Sequence, residues 1–95
     1  MSDPSISTTE IVVTIDGKRQ RITRTPGPQD GTVVERWPDR GLVFSERAWL
    51  GTHWAKSLRW SAAINAGGRP FEATERAEGF TSRRAAVRWL IAHAG

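Results

Sequence analysis

Apolar residues recur along this chain in short alternating runs, and only the last dozen positions switch to a helical period. Ile11-Val12-Val13-Thr14-Ile15 is β-branched and predicts a strand, because branching at Cβ suits a pleated backbone. Asp16-Gly17 predicts a two-residue hairpin turn, since a type I′ turn needs positive φ at both central positions. Arg19 to Arg24 returns with one large apolar residue, Ile22, which predicts a sheet edge or a solvated face. Pro26-Gly27-Pro28-Gln29-Asp30-Gly31 cannot continue a strand and reads as a loop. Thr32 to Trp37 and Leu42 to Phe44 form a second strand pair about Pro38-Asp39-Arg40-Gly41, a turn with proline at its favoured second position.

Ser45 to Ser57 supports two readings. Ser45 caps a short helix from Glu46 to Leu50, ended by Gly51, or the segment is a loop that folds Trp49 and Trp54 over the core. From Leu58 the alternation is plain: Leu58, Trp60, Ala62 and Ile64 share one face, and Arg59, Ser61, Ala63 and Asn65 the other. Gly67-Gly68 supplies a turn, after which Phe71 and Ala73 continue the apolar face. Thr81 or Ser82 caps a final helix, on which Ala86, Val87, Leu90, Ile91 and Ala94 form one stripe with Trp89 at its margin. The fold class is therefore α+β over residues 10–95. It is a single domain, with an antiparallel β-sheet of about five or six strands in successive hairpins packed against one C-terminal α-helix. Residues 1–9, small and polar, read as a flexible N-terminus.

Composition narrows the class. A 95-residue chain supports one modest core, and five tryptophans enlarge it despite a hydrophobic content of 38%. No run is long and apolar enough for a membrane span, and the start lacks the basic-then-apolar order of a signal peptide. The absence of cysteine excludes disulfides and thiolate zinc sites and fits a reducing, cytoplasmic setting. A net charge of +4 favours phosphate backbones or acidic protein surfaces. Twelve of the 14 basic residues are arginine, the better fork for phosphates and base edges. The same bias follows from GC-rich coding, as in a high-GC bacterium or its phage.

No catalytic constellation stands out. His53 and His93 lack any partner at metal-ligand spacing. Ser45, Ser57 and Ser61 lack a Gly-x-Ser-x-Gly turn, and Glu72, Glu75 and Glu78 fall in a strand and loop where a spacing of three makes no shared face. The expectation is a non-enzymatic protein with no metal and no cofactor. Two surfaces remain. Arg59, Ser61, Asn65, Glu72, Thr74 and Arg76, with Arg69 at the turn, make a polar sheet face of the kind that enters a major groove, or else a merely solvated one. Trp37, Trp49 and Trp54 beside Arg47 and Lys56 offer anchors for a partner protein or a stacking platform, unless they are core.

Trp60, Ala62, Ile64, Gly68, Phe80, Thr81, Ala85, Ala86, Trp89 and Leu90 resemble the arm-type (AP2-like) DNA-binding domain at the N-terminus of tyrosine integrases. The resemblance covers about a third of the chain, and two further hairpins precede it. It implies that the sheet face away from the helix enters the DNA major groove, with Arg59, Ser61, Arg69, Thr74 and Arg76 as contacts. The expected function is thus a small DNA-binding protein that engages double-stranded DNA through its C-terminal hairpin. The alternative is a protein-interaction module, a regulator or inhibitor of a host protein, anchored by Trp37, Arg47, Trp49 and Trp54. An exposed edge around Arg19 to Arg24 allows either a monomer or a homodimer.

Overall fold

The computed structural model describes residues 8–65 and 73–94. Six strands follow one another, β1 (Thr9–Ile15), β2 (Lys18–Pro26), β3 (Val33–Trp37), β4 (Gly41–Glu46), β5 (Arg59–Ile64) and β6 (Glu75–Phe80), and helix α1 (Arg83–Ala94) closes the chain. The strands lie in sequence order in one sheet, every neighbouring pair antiparallel. The expected α+β class, successive hairpins backed by one helix, is the architecture found.

The first turn sets the first register. Asp16 and Gly17 both have positive φ, 51° and 78°, so the turn is type I′ and places Ile15 opposite Lys18. Ile11 then falls opposite Ile22. The expectation of an edge at Arg19–Arg24 is corrected here: β2 lies between β1 and β3, and Ile22 is fully buried. Among the described residues the sheet ends at β1 on one side and β6 on the other.

At the second hairpin Asp39 takes positive φ, 64°, and Gly41 opens β4. Gly41 has φ 151°, and a Cβ there would stand 1.9 Å from the carbonyl oxygen of Ala63 on β5. Only glycine lets the two backbones pair at this approach. Gly41→Ala is therefore expected to destabilise the domain by about 2–4 kcal/mol, from backbone strain and overpacking together. A fall in the urea midpoint at unchanged slope would show it, and an unchanged midpoint would contradict it.

The main core lies between the sheet and α1. Ile15, Ile22, Trp37, Val43, Ala62 and Ile64 meet Ala86 and Leu90 of the helix. The Ser82 hydroxyl accepts the Ala85 N–H at 3.2 Å and caps α1. The helical stripe is the expected one, with Val87, Ile91 and Ala94 packed partly buried against the core. Trp89 stacks on His93 at 4.5 Å between ring centres. A smaller cluster occupies the other sheet face, where buried Leu42 and Ala63 meet Val34, Phe44 and Ala73. Ala73 thus packs away from the helix rather than extending the Trp60 face. The Gly67-Gly68 turn and Phe71 lie outside the described residues.

Among the described residues one charged group is buried. Glu35 is fully enclosed on the helix side of β3. Its Oε2 accepts from Arg24 Nη2 at 2.7 Å and Arg83 Nε at 2.7 Å, and its Oε1 accepts from Arg83 Nη2 at 3.0 Å and Trp37 Nε1 at 3.3 Å. Burial alone pushes its pKa up. Hydrogen bonds from Arg83 and Arg24, with their charges, outweigh that and hold it below the ordinary carboxylate value. This cluster fastens β2, β3 and the start of α1 together.

Candidate functional site

Between β4 and β5 the chain makes a small hairpin of its own over residues 48–55. The Ala55 N–H donates to the Ala48 carbonyl and the Leu50 N–H to the His53 carbonyl, each at 2.8 Å. These bonds bracket the antiparallel bridge between Trp49 and Trp54. The two tryptophans therefore form a non-hydrogen-bonded pair, the position where cross-strand side chains come closest. Their rings meet edge to face, 5.0 Å between centres and 66° between planes. Gly51, at φ 93°, supplies the turn. Trp49, Leu50 and Trp54 remain 55%, 57% and 50% exposed.

Arg47 holds the base of this hairpin. Its guanidinium donates to the carbonyls of Asp30 at 3.2 Å and Ala55 at 3.2 Å, and also to that of Lys56. Its backbone N–H donates to Gln29 Oε1 at 2.9 Å, while Gln29 Nε2 donates to its carbonyl at 3.3 Å. Loop 27–31 and the hairpin are thereby tied together around a shallow depression of about 520 Å³, bordered by Gln29, Arg47, Trp54 and Lys56. Hydrogen bonds from a charged donor contribute about 1.5–3 kcal/mol. Arg47→Ala should then speed amide exchange at Leu50 and Ala55 about tenfold or more, while the amides of β2 keep their protection. Unchanged exchange at both positions would show that Arg47 does not brace the hairpin.

Both readings of Ser45 to Ser57 need correction. Ser45 belongs to β4, opposite Trp60, and its hydroxyl accepts the Val33 N–H at 3.0 Å, so it caps no helix. The hairpin carries Trp49 and Trp54 outward instead of over the core. Trp37 is the reverse case. It is only 3% exposed and bonded to Glu35, so it offers no anchor to a partner. Arg47 is half-buried and engaged within the chain. Of the four residues expected to anchor a protein, the structure brings Trp49 and Trp54 together at the surface and adds Leu50, which the sequence did not single out. A Trp at each end of Trp-Leu-Gly-Thr-His-Trp, with glycine between, was the available signal.

The residues expected to touch DNA also divide. Arg59 and Arg76 are exposed and share the face away from α1, since Arg59 pairs with Glu46 and Arg76 with Ala63. Arg76 forms an ion pair with Glu78. Ser61 faces the same way but is fully buried and cannot meet a ligand there. Thr74 is exposed, with its N–H turned back to the Ile64 carbonyl at 3.2 Å. Arg69 lies outside the described residues. By register, exposed Arg19, Arg21 and Arg36 join this face. Its middle is apolar, around Leu42 and Ala63.

Among the described residues no three His, Cys, Asp or Glu side chains gather as metal ligands. Nor is any described helix long and apolar enough to cross a membrane. Searches among known proteins returned no matching family model, curated protein or solved structure.

Proposed function

We propose that this chain is a non-enzymatic binding protein that docks onto a partner protein through the Trp49–Trp54 hairpin. One observation carries the reading. Of the four exposed large apolar side chains among the described residues, Trp49, Leu50 and Trp54 stand on one hairpin, and Val12 is elsewhere. Exposed apolar surface gathered in this way marks interaction sites, and tryptophan leads among residues that dominate binding energy. The Arg47 brace presents the hairpin preformed, which lowers the entropy lost on docking. Lys56 beside the depression and the chain's net charge of +4 suit an apolar cleft with an acidic rim. A cytoplasmic setting agrees with the cysteine-free sequence.

A second reading rests on its own observation. Arg19, Arg21, Arg36, Arg59 and Arg76 are all exposed on the sheet face away from α1, an arrangement that suits duplex DNA and keeps the arm-type resemblance in play. Buried Ser61 and the apolar centre of that face count against close groove readout. Salt separates the two. Phosphate contacts release counterions, so DNA binding falls steeply as salt rises, whereas an apolar anchor is much less sensitive. The test compares wild type, Trp49→Ala/Trp54→Ala and Arg36→Ala/Arg59→Ala for capture of cell proteins and for binding to random duplex, at low and high salt. Protein capture lost with the tryptophans and steady in salt supports the first reading. Duplex binding lost with the arginines and in high salt replaces it with the second.

A further inference from the structure

Among the described residues the two edge strands of the sheet are built differently. β6 reads Glu-Arg-Ala-Glu-Gly-Phe, and its register with β5 is broken between Trp60 and Ala62. Charge and bulging are devices that blunt an edge against pairing. β1 has neither. Its seven residues, Thr-Glu-Ile-Val-Val-Thr-Ile, pair with β2 without a break and carry one charge, Glu10.

The hydrogen-bonding phase of β1 follows from its turn. A two-residue type I′ hairpin makes Ile15 and Lys18 a hydrogen-bonded pair. Alternation then directs the N–H and C=O of Ile11, Val13 and Ile15 toward β2. Those of Glu10, Val12 and Thr14 point away from the sheet, along a line centred on Val12. Val12 is also 50% exposed, the one large apolar side chain exposed outside the Trp hairpin among the described residues.

We propose that β1 pairs antiparallel with β1 of a second copy of this chain, Val12 opposite Val12 on a two-fold axis. The register is self-complementary. Val12 meets itself, and Glu10 meets Thr14 on either side, so each outward-facing residue exchanges both backbone hydrogen bonds. A shift of one residue would turn the core faces apart, and a shift of two would leave outward groups unpaired. Ile11 falls opposite Val13 of the second copy, both half-buried here, which extends the apolar layer that packs against the main core. Thr14 pairs with Arg19 within its own sheet, so Glu10 lies two strand spacings, about 10 Å, from Arg19 of the second copy. That is within an arginine's reach and is favourable in sign. The assembly is one continuous sheet with both helices on one face.

Light scattering or sedimentation of the full chain across a range of concentrations tests this. Wild type should show twice the 10.6 kDa chain mass. Val12→Lys sets two like charges directly opposite on the axis and should give the monomer mass, as should Val12→Glu. An equimolar mixture of the two should recover the dimer, because only a residue that pairs with itself is repaired by an opposite charge on the second copy. Circular dichroism checks that both variants stay folded. If Val12→Lys unfolds, Thr14→Glu reads the same contact by setting Glu10 against a second carboxylate. A wild type that stays monomeric at every concentration overturns the proposal. So does a dimer that survives in a folded Val12→Lys or Thr14→Glu variant, or a mixture that remains monomeric.

Discussion

Glu35→Ala is expected to lower the stability of this domain by about 3–5 kcal/mol, the usual consequence of removing one member of a buried ion cluster. A domain of this size holds only about 5–15 kcal/mol in all, so a large fraction of the variant should be unfolded in mild denaturant. The Arg24 and Arg83 side chains, 36% and 34% exposed, would face each other without the carboxylate between them. The Trp37 Nε1–H would lose its acceptor in the core. Arg83 also opens α1, whose first turn carries no acidic residue. A cation there opposes the helix dipole, and the Glu35 carboxylate offsets it. Glu35→Gln keeps the shape and should fall between wild type and Glu35→Ala.

Acid should produce the same loss reversibly. The folded pKa of Glu35 is depressed, so its stabilising contribution is complete above the unfolded value of about 4.3. That contribution disappears as pH falls through the lower folded value. Melting temperatures measured from neutral pH down to about pH 2 should fall more steeply in wild type than in Glu35→Gln. Parallel curves would mean that the carboxylate carries no net stabilisation.

Much of this fold was legible because local chemistry decides it. The Asp16-Gly17 turn, the proline turn at Pro38, the alternation from Leu58 and the stripe on the last helix each need only neighbouring residues. What stayed hidden depends on partners far along the chain. Ile22 looks like an edge residue among arginines and is buried because β2 lies inside the sheet and the Ile22 side chain joins the main core with Ile15 and Trp37. Glu35 shares the Trp37 side of its strand, but its partners arrive from 11 and 48 residues away. Alternation placed Ser61 on the correct face and could not tell that this face is covered at that point. The candidate site was half visible. The spacing of Trp49 and Trp54 about Gly51 is local and readable. Whether the pair anchors a partner or fills the core is not legible locally, because it depends on Trp37 and the aliphatic strands already filling that core.

Trp49→Ala and Trp54→Ala should each weaken partner binding about 30-fold or more, the equivalent of a 2 kcal/mol hot spot, while the fold stays intact. Half of each ring faces solvent, so truncation opens no core cavity. The structural loss is limited to the edge-to-face contact, about 0.5–1.5 kcal/mol, and it falls on the hairpin. The two rings touch, so their effects should not add: the double variant should bind only slightly worse than the weaker single one. Trp49→Phe keeps an aromatic edge against Trp54 and should recover part of the affinity. Melting curves and titration against the captured partner, both repeated in high salt, measure these terms separately. Single variants that melt as though a core residue had been lost, while binding as wild type does, would make the pair a structural clasp. The contact surface would then have to be sought on the arginine face.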